Sequence, residues 1–218
     1  MGKSSDGFAT LFGSSAATLE VLAHKDDVSL ILDVAPVRPG HLLLVTRSHQ
    51  RSFVTLWKNK ADSVNIILSA VLESLRARTG LSAIVCEHGL GLQSKGQAGC
   101  VEHAHIHVIP ADRPFISMFR QAGVGLEPIQ DFQQILECAS EQQYLYLQDA
   151  DGVRYSAVST RFPSQLVRRL VAQKYGQIFW SWRDYLDFAD MVGTRKTILE
   201  GREIYKDIPN HLVFMTSS

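Results

Sequence analysis

The segment 103–110 constrains this chain most, because three histidines alternate there with small or apolar residues before a proline ends the run. Alternation with a period of two predicts a β-strand that packs one face against a core. Ala104, Ile106 and Val108 would then be buried, and all three imidazoles would share the opposite face. Side chains two residues apart on a strand lie about 6.5–7 Å from each other. The pattern therefore predicts three groups that titrate near neutral pH beside one small ligand.

Composition and charge limit the partners and the cellular location that we expect for this chain. Lys and Arg together number 22, as do Asp and Glu, so the formal charge of zero argues against nucleic acid or an anionic membrane as a partner. The first 15 residues are rich in Gly and Ser and do not resemble a signal peptide, and no apolar run reaches the length of a membrane span. The three cysteines are scattered, which favours free thiols and a cytoplasmic location.

Residues 1–114 read as one α+β domain with a mostly antiparallel sheet and packed helices. Apolar, β-branched runs predict strands at residues 28–34, 41–46 and 81–86. Apolar residues at spacings of three and four predict a helix over residues 61–79, which Gly80 would end. A glycine-rich stretch, residues 89–99, predicts a loop that leads into the histidine strand.

Residues 115–218 read as a C-terminal α/β extension, which would pack on the first domain or form a dimer interface. Two alternating runs, 143–148 and 153–158, flank an Asp-Gly pair and predict a β-hairpin. Pro163 would open a helix that continues to about residue 175.

The histidine run is compatible with three interpretations. It could be a polar strand face without function, although three histidines in register after a glycine-rich loop argue against this. It could bind zinc, because alternate histidines on a strand can reach one ion. The outer members of the row would, however, be too far apart to meet one ion easily.

Phosphoryl chemistry is the third interpretation and explains more of the segment. A neutral imidazole is a good nucleophile toward phosphorus, and a neighbouring imidazole can hold or protonate the leaving group. The backbone N–H groups of a glycine-rich loop can form a nest for an anion. All three parts occur within about twenty residues of this sequence.

The segment 103–109 resembles the signature of the histidine triad (HIT) family, in which three alternating histidines are separated by apolar residues. Residues 99–102 resemble the lead-in of that signature. Residues 33–45, with Pro39, Gly40 and His41 between two strands, resemble another block of the family. The Glu-His-Gly at residues 87–89, the long glycine loop and the tail after residue 163 resemble bacterial diadenosine polyphosphate hydrolase-like members.

The resemblance implies roles for the central residues. His105 would attack the α-phosphorus and carry the nucleotidyl group, and His107 would hold or protonate the bridging oxygen. His103 would orient His105 through hydrogen bonding, while His41 would pack behind the triad. Asp33 would hold the ribose hydroxyls.

Other assignments from the resemblance are looser. Backbone N–H groups near Gly99 and Cys100 would bind the α-phosphate, and Glu87 would lie near the phosphate or sugar. Cys100 departs from the usual Ser, Thr or Gln, and a thiol is a weaker donor, so a small buried residue is an equal alternative there. Three tail residues could reach distal phosphates, although a solvated helix face is an equally good interpretation: Gln165, Arg168 and Arg169.

The implied activity is that of a nucleotidyl hydrolase or transferase acting on a nucleoside polyphosphate, dinucleoside polyphosphate or nucleoside phosphoramidate. An adenine nucleotide is favoured. Retention of His107 favours hydrolysis, since related transferases and phosphorylases often have Gln at that position. No resident metal or cofactor is expected, although Mg²⁺ could accompany a polyphosphate. The alternatives are a biosynthetic nucleotidyl transferase or phosphorylase and a regulatory protein that binds nucleotide without turnover, and a homodimer would be common in the family.

Overall fold

The computed structural model describes residues 21–91, 103–131, 134–135, 141–182 and 191–208, and within them it contains an eight-stranded sheet and four helices. The strands are β1 (Val21–Lys25), β2 (Val28–Leu32), β3 (Leu42–Thr46), β4 (Ser82–Leu90), β5 (His105–Ala111), β6 (Glu127–Pro128), β7 (Gln143–Gln148) and β8 (Arg154–Ser159). The helices are α1 (Phe53–Thr79), α2 (Ile116–Gln121), α3 (Leu166–Lys174) and α4 (Met191–Tyr205).

All the strand pairs are antiparallel, and the order across the sheet is β1-β2-β3-β5-β4-β7-β8-β6. This architecture confirms the α+β fold class. The histidine strand β5 is central, because it pairs with β3 on one side and β4 on the other. The predicted hairpin is also confirmed as β7 and β8. It joins the sheet beside β4, so one sheet runs through both segments, and the division at residue 114 stays a prediction.

The sheet is buried on both faces. One face packs against α1, and its apolar residues include Leu44, Ile106 and Val108 on neighbouring strands. The other face packs against α2 and α3 through residues such as Ile109 and Leu145. Burial on both faces explains why β2 and β3 read as continuous apolar runs without alternation. Ala104, Ile106 and Val108 lie in the core, as the alternating pattern predicts.

Helix α1 begins at Phe53, eight residues before the predicted start at residue 61. Ser52 caps it, because its hydroxyl accepts a hydrogen bond from the N–H of Val54. Polar residues at positions 58–60 interrupt the apolar pattern and hid this first part of the helix. Its predicted end is confirmed, since Gly80 takes the left-handed conformation with φ of 71°.

Strand β4 is longer than the sequence predicted and continues to Leu90. The prediction of a loop beginning at Gly89 is therefore wrong for the first two residues of that stretch. Pairing with β7 explains the difference, because Gly89 lies opposite Tyr144 and Leu90 opposite Gln143. Residues 92–102 lie outside the described part of the chain.

Helix α3 begins at Leu166, three residues after the predicted opening at Pro163, because Gln165 takes a left-handed conformation with φ of 55°. The sequence analysis did not predict β1, α2, β6 or α4. Asp149 of the hairpin loop holds the start of α2, since its carboxylate accepts hydrogen bonds from the N–H groups of Phe115 and Ile116, each at 2.8 Å. None of the helices described here is long and apolar enough to cross a membrane.

Gly89 is required where β4 meets β7. A Cβ atom at this position would overlap the ring of Tyr144. We therefore expect Gly89→Ala to lower the free energy of unfolding by about 1–3 kcal/mol, the usual range for overpacking. Urea denaturation measures this change. Gly125→Ala is the matched control, because a Cβ atom there meets nothing within 4 Å. Equal stability of both variants would contradict this description of the β4–β7 contact.

Candidate active site

His105 and His107 occupy one face of the central strand. Across the sheet, His107 lies opposite Leu43 of β3 and Cys86 of β4, while His105 lies opposite Val45. The two imidazole rings are 5.0 Å apart, measured between centroids, and stand nearly perpendicular to each other. Both rings are partly exposed, so they can meet a ligand. The alternation predicted from the sequence therefore holds for these two histidines.

A backbone carbonyl fixes the protonation state of His105. Its Nδ1 lies 2.8 Å from the carbonyl oxygen of His103. Because a carbonyl oxygen can only accept, Nδ1 must carry the ring proton. The neutral ring then has its lone pair on Nε2, the nitrogen available for attack on an electrophile.

His41 determines which ring nitrogen of His107 carries the proton. The backbone N–H of Val37 donates to His41 Nδ1 at 3.3 Å, so the proton of the neutral His41 ring is on Nε2. That Nε2 lies 3.0 Å from His107 Nδ1, which must accept. The neutral His107 ring therefore carries its own proton on Nε2. The arrangement places an imidazole lone pair on His105 and an imidazole N–H on its neighbour.

The loop between β2 and β3 brings Asp33 beside His41. The N–H of Asp33 donates to the His41 carbonyl at 3.1 Å, and Gly40 makes the turn possible with φ of 83°. Asp33 Oδ2 lies 3.3 Å from His41 Nε2, and Oδ1 accepts from the N–H of Ala35 at 2.8 Å. The carboxylate is 3 % exposed. His41 Nε2 is therefore close both to His107, with which it forms a hydrogen bond, and to a buried carboxylate.

Arg168 of α3 balances the charge of Asp33. One guanidinium nitrogen donates to Asp33 Oδ2 at 2.7 Å. Burial alone would raise the pKa of Asp33, but the charge of Arg168, followed by His41 and the hydrogen bonds to the carboxylate, brings the pKa below its ordinary value. The carboxylate is therefore ionised at neutral pH although it is buried.

Burial keeps the three histidines of the site neutral. It lowers the pKa of His41 to about 4 and lowers the pKa of His105. It also holds the pKa of His107 well below its ordinary value, and the neighbouring His105 and His41 act in the same direction. A neutral His105 is a nucleophile, whereas its protonated form has no lone pair to share.

Comparison with protein families now adds an independent observation. The profile described as HIT domain matches residues 15–114. Residues 15–114, which include the three histidines of the run, are therefore similar to HIT domains. This similarity supports nucleotide binding, with hydrolase or transferase activity in general. No curated protein matches the sequence.

Three solved structures are similar to this chain in fold. A HIT-like protein involved in cell-cycle regulation from Bartonella henselae is 23% identical over 50% of this chain and 81% of its own, with a TM-score of 0.34. A hypothetical histidine triad nucleotide-binding protein from Sulfolobus tokodaii is 20% identical over 44% of this chain and 62% of its own, with a TM-score of 0.32. Yeast Ap4A phosphorylase in complex with AMP is 16% identical over 70% of this chain and 64% of its own, with a TM-score of 0.37.

His103, the first histidine of the run, is placed differently from the other two. His103 precedes β5, and its ring is buried against Thr46, whose hydroxyl lies 3.0 Å from His103 Nε2. The backbone carbonyl of His103, not its ring, contacts His105. The expectation that all three imidazoles share one strand face is therefore wrong for His103, because the regular strand begins only at His105. Its predicted role in orienting His105 fits the carbonyl contact.

Glu87 lies on the sheet face opposite His105 and His107. Successive strand residues alternate, and Cys86 is the residue of β4 that pairs with His107. Glu87 accepts hydrogen bonds from the N–H of Phe53 at 2.7 Å and from the hydroxyl of Tyr144 at 2.5 Å. These contacts support the start of α1 and do not favour the phosphate or sugar contact that the resemblance implies.

The remaining predicted residues fall in three places. Gly99 and Cys100 lie outside the described residues, so their phosphate-binding role stays a prediction. Arg169 is exposed on α3. Gln165 is buried, and its side chain contacts Ser181 at 3.5 Å and accepts from the N–H of Trp182 at 3.0 Å. Gln165 therefore holds a neighbouring segment, and its distal phosphate contact stays a prediction.

His88 of β4 is a further histidine close to His105 and His107. It shares a sheet face with Cys86 and therefore with His107. Burial lowers its pKa, and its Nε2 donates to Gln143 Oε1 at 3.0 Å. Its charge would lower the pKa values of both His105 and His107. Strand periodicity would have revealed this position once β4 was extended through residue 88.

Asp33, His41 and His107 are close enough to be considered as a metal site, because their ligand atoms lie within 4.8 Å of one another. Their hydrogen bonds do not fit that use. His41 would have to move its proton to Nδ1, which faces the N–H of Val37. Arg168 would also repel a cation at the Asp33 carboxylate. The donor set is better suited to hydrogen bonding among the four groups.

Glu87 should make folding stability depend on pH. Burial raises its pKa from about 4.5 to about 7, so the folded state binds the proton more tightly than the unfolded state. This stabilisation is complete below pH 4.5 and is lost as the pH rises through 7. Glu87→Gln cannot ionise. Relative to wild type, we expect the variant to gain on the order of 3 kcal/mol in free energy of unfolding between pH 4 and pH 8.

Urea denaturation at both pH values measures this difference. Glu73→Gln is the control, because Glu73 is an exposed glutamate on the same helix that Glu87 supports. A constant difference between wild type and Glu87→Gln at the two pH values would contradict the buried, protonated carboxyl.

Proposed function

We propose that this HIT domain transfers a nucleotidyl group through a covalent intermediate on His105 and that water is the acceptor. The substrate would be a nucleoside polyphosphate, a dinucleoside polyphosphate or a nucleoside phosphoramidate. One observation carries the proposal: the lone pair on His105 Nε2 lies beside the N–H of His107, with the two rings 5.0 Å apart. A protein that only bound nucleotide would not need a neutral nucleophile in this position.

In the first step, His105 Nε2 would attack the α-phosphorus. A P–N bond forms, and the bond from phosphorus to the leaving group breaks with its electron pair on the leaving group. His107 Nε2–H would donate a hydrogen bond to that leaving atom and stabilise its growing negative charge. The adduct is an imidazolium, because Nδ1 keeps its proton. The His103 carbonyl at 2.8 Å would stabilise this cation.

In the second step, water would attack the same phosphorus. The P–N electron pair returns to His105 Nε2, the water proton passes to solvent, and a nucleoside monophosphate leaves. Phosphate or another metabolite could replace water without any change in the first step. The identity of the released product therefore separates a hydrolase from a phosphorylase or transferase.

The resemblance adds details that stay predictions. They are a diadenosine polyphosphate hydrolase-like subtype, an adenine nucleotide as substrate, a contact from Asp33 to the ribose, a cytoplasmic location and a homodimer. Magnesium is not required by any group of the site, although it could accompany a polyphosphate substrate.

A trapping experiment tests the covalent intermediate. Wild-type protein is mixed with α-labelled adenosine polyphosphates or phosphoramidates in a single turnover and quenched. We expect label on wild type and none on His105→Ala or His105→Asn, because both variants lack the attacking nitrogen. His24→Asn is the control, since His24 contacts Ser29 on an outer strand pair. Nucleotide binding without labelled protein or turnover would overturn the proposal for these substrates.

The pH dependence of labelling tests the neutral nucleophile. Protonation of His105 removes its lone pair, and burial lowers its pKa below the ordinary value of 6.5. The labelling rate should therefore still exceed half of its pH 8 value at pH 6.5 and should reach half only at a lower pH. Rapid-quench measurements at each pH provide the profile. A rate that has already fallen to half of its pH 8 value at pH 7 would contradict the lowered pKa.

A further inference from the structure

Arg168 is held inside the protein by three acceptors, two from the loop between β2 and β3 and one from the segment after α3. Its guanidinium donates to Asp33 Oδ2 at 2.7 Å, to the carbonyl of Ala35, and to the carbonyl of Trp180 at 2.9 Å. The residue is 4 % exposed. A guanidinium with this many fixed acceptors is in place before any ligand arrives. It is therefore not a free cation that waits for a phosphate.

The contact with Asp33 connects Arg168 to the active site through two further groups. Asp33 Oδ2 lies 3.3 Å from His41 Nε2, which in turn lies 3.0 Å from His107 Nδ1. In this row of four side chains, Asp33, His41 and Arg168 are buried and His107 is partly exposed. A change at Arg168 can therefore reach the reacting atoms without touching the substrate.

The N–H of His41 donates to His107, and the Asp33 carboxylate lies near enough to be an alternative acceptor. An ionised carboxylate without a partner would be the stronger acceptor and would draw the N–H away from His107. Arg168 already occupies the same Oδ2 atom at 2.7 Å, which weakens that competition. The distances agree with this balance, since His41 Nε2 is nearer to His107 than to Asp33.

We propose that Arg168 is a positioning residue for His107. By pairing with Asp33 it leaves the His41 N–H to His107, which fixes the His107 ring with its own N–H directed toward the leaving group. This inference rests on the proposed function, and it gives the segment after residue 114 a positioning role at the active site. Arg168 would act through Asp33 and His41 and would not bind the distal phosphates of the substrate.

A double-mutant cycle tests the connection through Asp33. The variants are Arg168→Met, Asp33→Asn and the two combined, and the labelling rate constant and nucleotide dissociation constant are measured for each. We expect Arg168→Met to lower the rate constant about 10–100-fold, the range for residues that orient a functional histidine. The dissociation constant should change less than about threefold, because Arg168 does not contact the nucleotide.

The combined variant shows whether Arg168 acts through Asp33 or independently of it. In the Asp33→Asn background, Arg168→Met should cost less than about threefold, since coupled residues are not additive. Arg168→Lys, which keeps the charge, should recover most of the rate. Lys174→Met is the control for loss of an exposed charge on the same helix. Additive losses, or a loss confined to nucleotide affinity, would overturn the inference.

Ring ¹⁵N NMR of His107 provides a readout that does not depend on activity. Wild type and Arg168→Lys should show the proton on Nε2, and Arg168→Met should show a mixture of tautomers or an imidazolium. Identical His107 signals in all three proteins would overturn the inference.

The two proposals can fail separately. If the wild type forms no intermediate but the variants show these NMR changes, the proposed function alone is refuted. If Arg168→Met does not fold, the combined variant and Asp33→Asn are compared, and labelling rates that differ by more than about threefold would overturn the inference.

Discussion

The hydrogen bond between the ring of His105 and the carbonyl of His103 determines what the site can do. At 2.8 Å it fixes the ring proton on Nδ1 and the lone pair on Nε2. The two partners are only two positions apart in the sequence, but their contact depends on the whole sheet. Strands β3 and β4 hold β5 on both sides, and the backbone must be regular from His105 onward for the ring to meet that carbonyl. The core thus determines the tautomer.

Burial keeps the histidines of the site neutral, but it also places the charged groups of Asp33 and Arg168 in a poorly solvated environment. The same burial that lowers the pKa values of His41 and His107 would protonate Asp33 if it stood alone. Arg168 stabilises the ionised carboxylate of Asp33 through a buried ion pair at 2.7 Å. Removing one partner of such a pair is strongly unfavourable, because the other charge then lacks compensation. The extension is in this sense part of the site.

The sequence was sufficient for six of the eight described strands, the fold class and the two partly exposed histidines, because periodicity and apolar runs report directly on burial. It was insufficient for groups whose position depends on contacts distant in sequence. Arg168 lies 135 residues from its partner Asp33, and nothing in its local pattern distinguishes it from a solvated helix residue. For Glu87, a local motif suggested a ligand contact. The alternation of side chains along β4 instead places Glu87 on the face that packs against α1, where it accepts a hydrogen bond from the N–H of Phe53.

Long-range ¹H–¹⁵N NMR of the imidazole nitrogens in wild-type protein at pH 7 tests the central claim most directly. The account predicts three neutral rings, with the proton on Nδ1 of His105 and on Nε2 of both His41 and His107. Signals assigned by single His→Gln variants would show each tautomer separately. A proton on Nε2 of His105, or an imidazolium at either His105 or His107, would contradict the account, because the attacking lone pair or the neutral donor would then be absent.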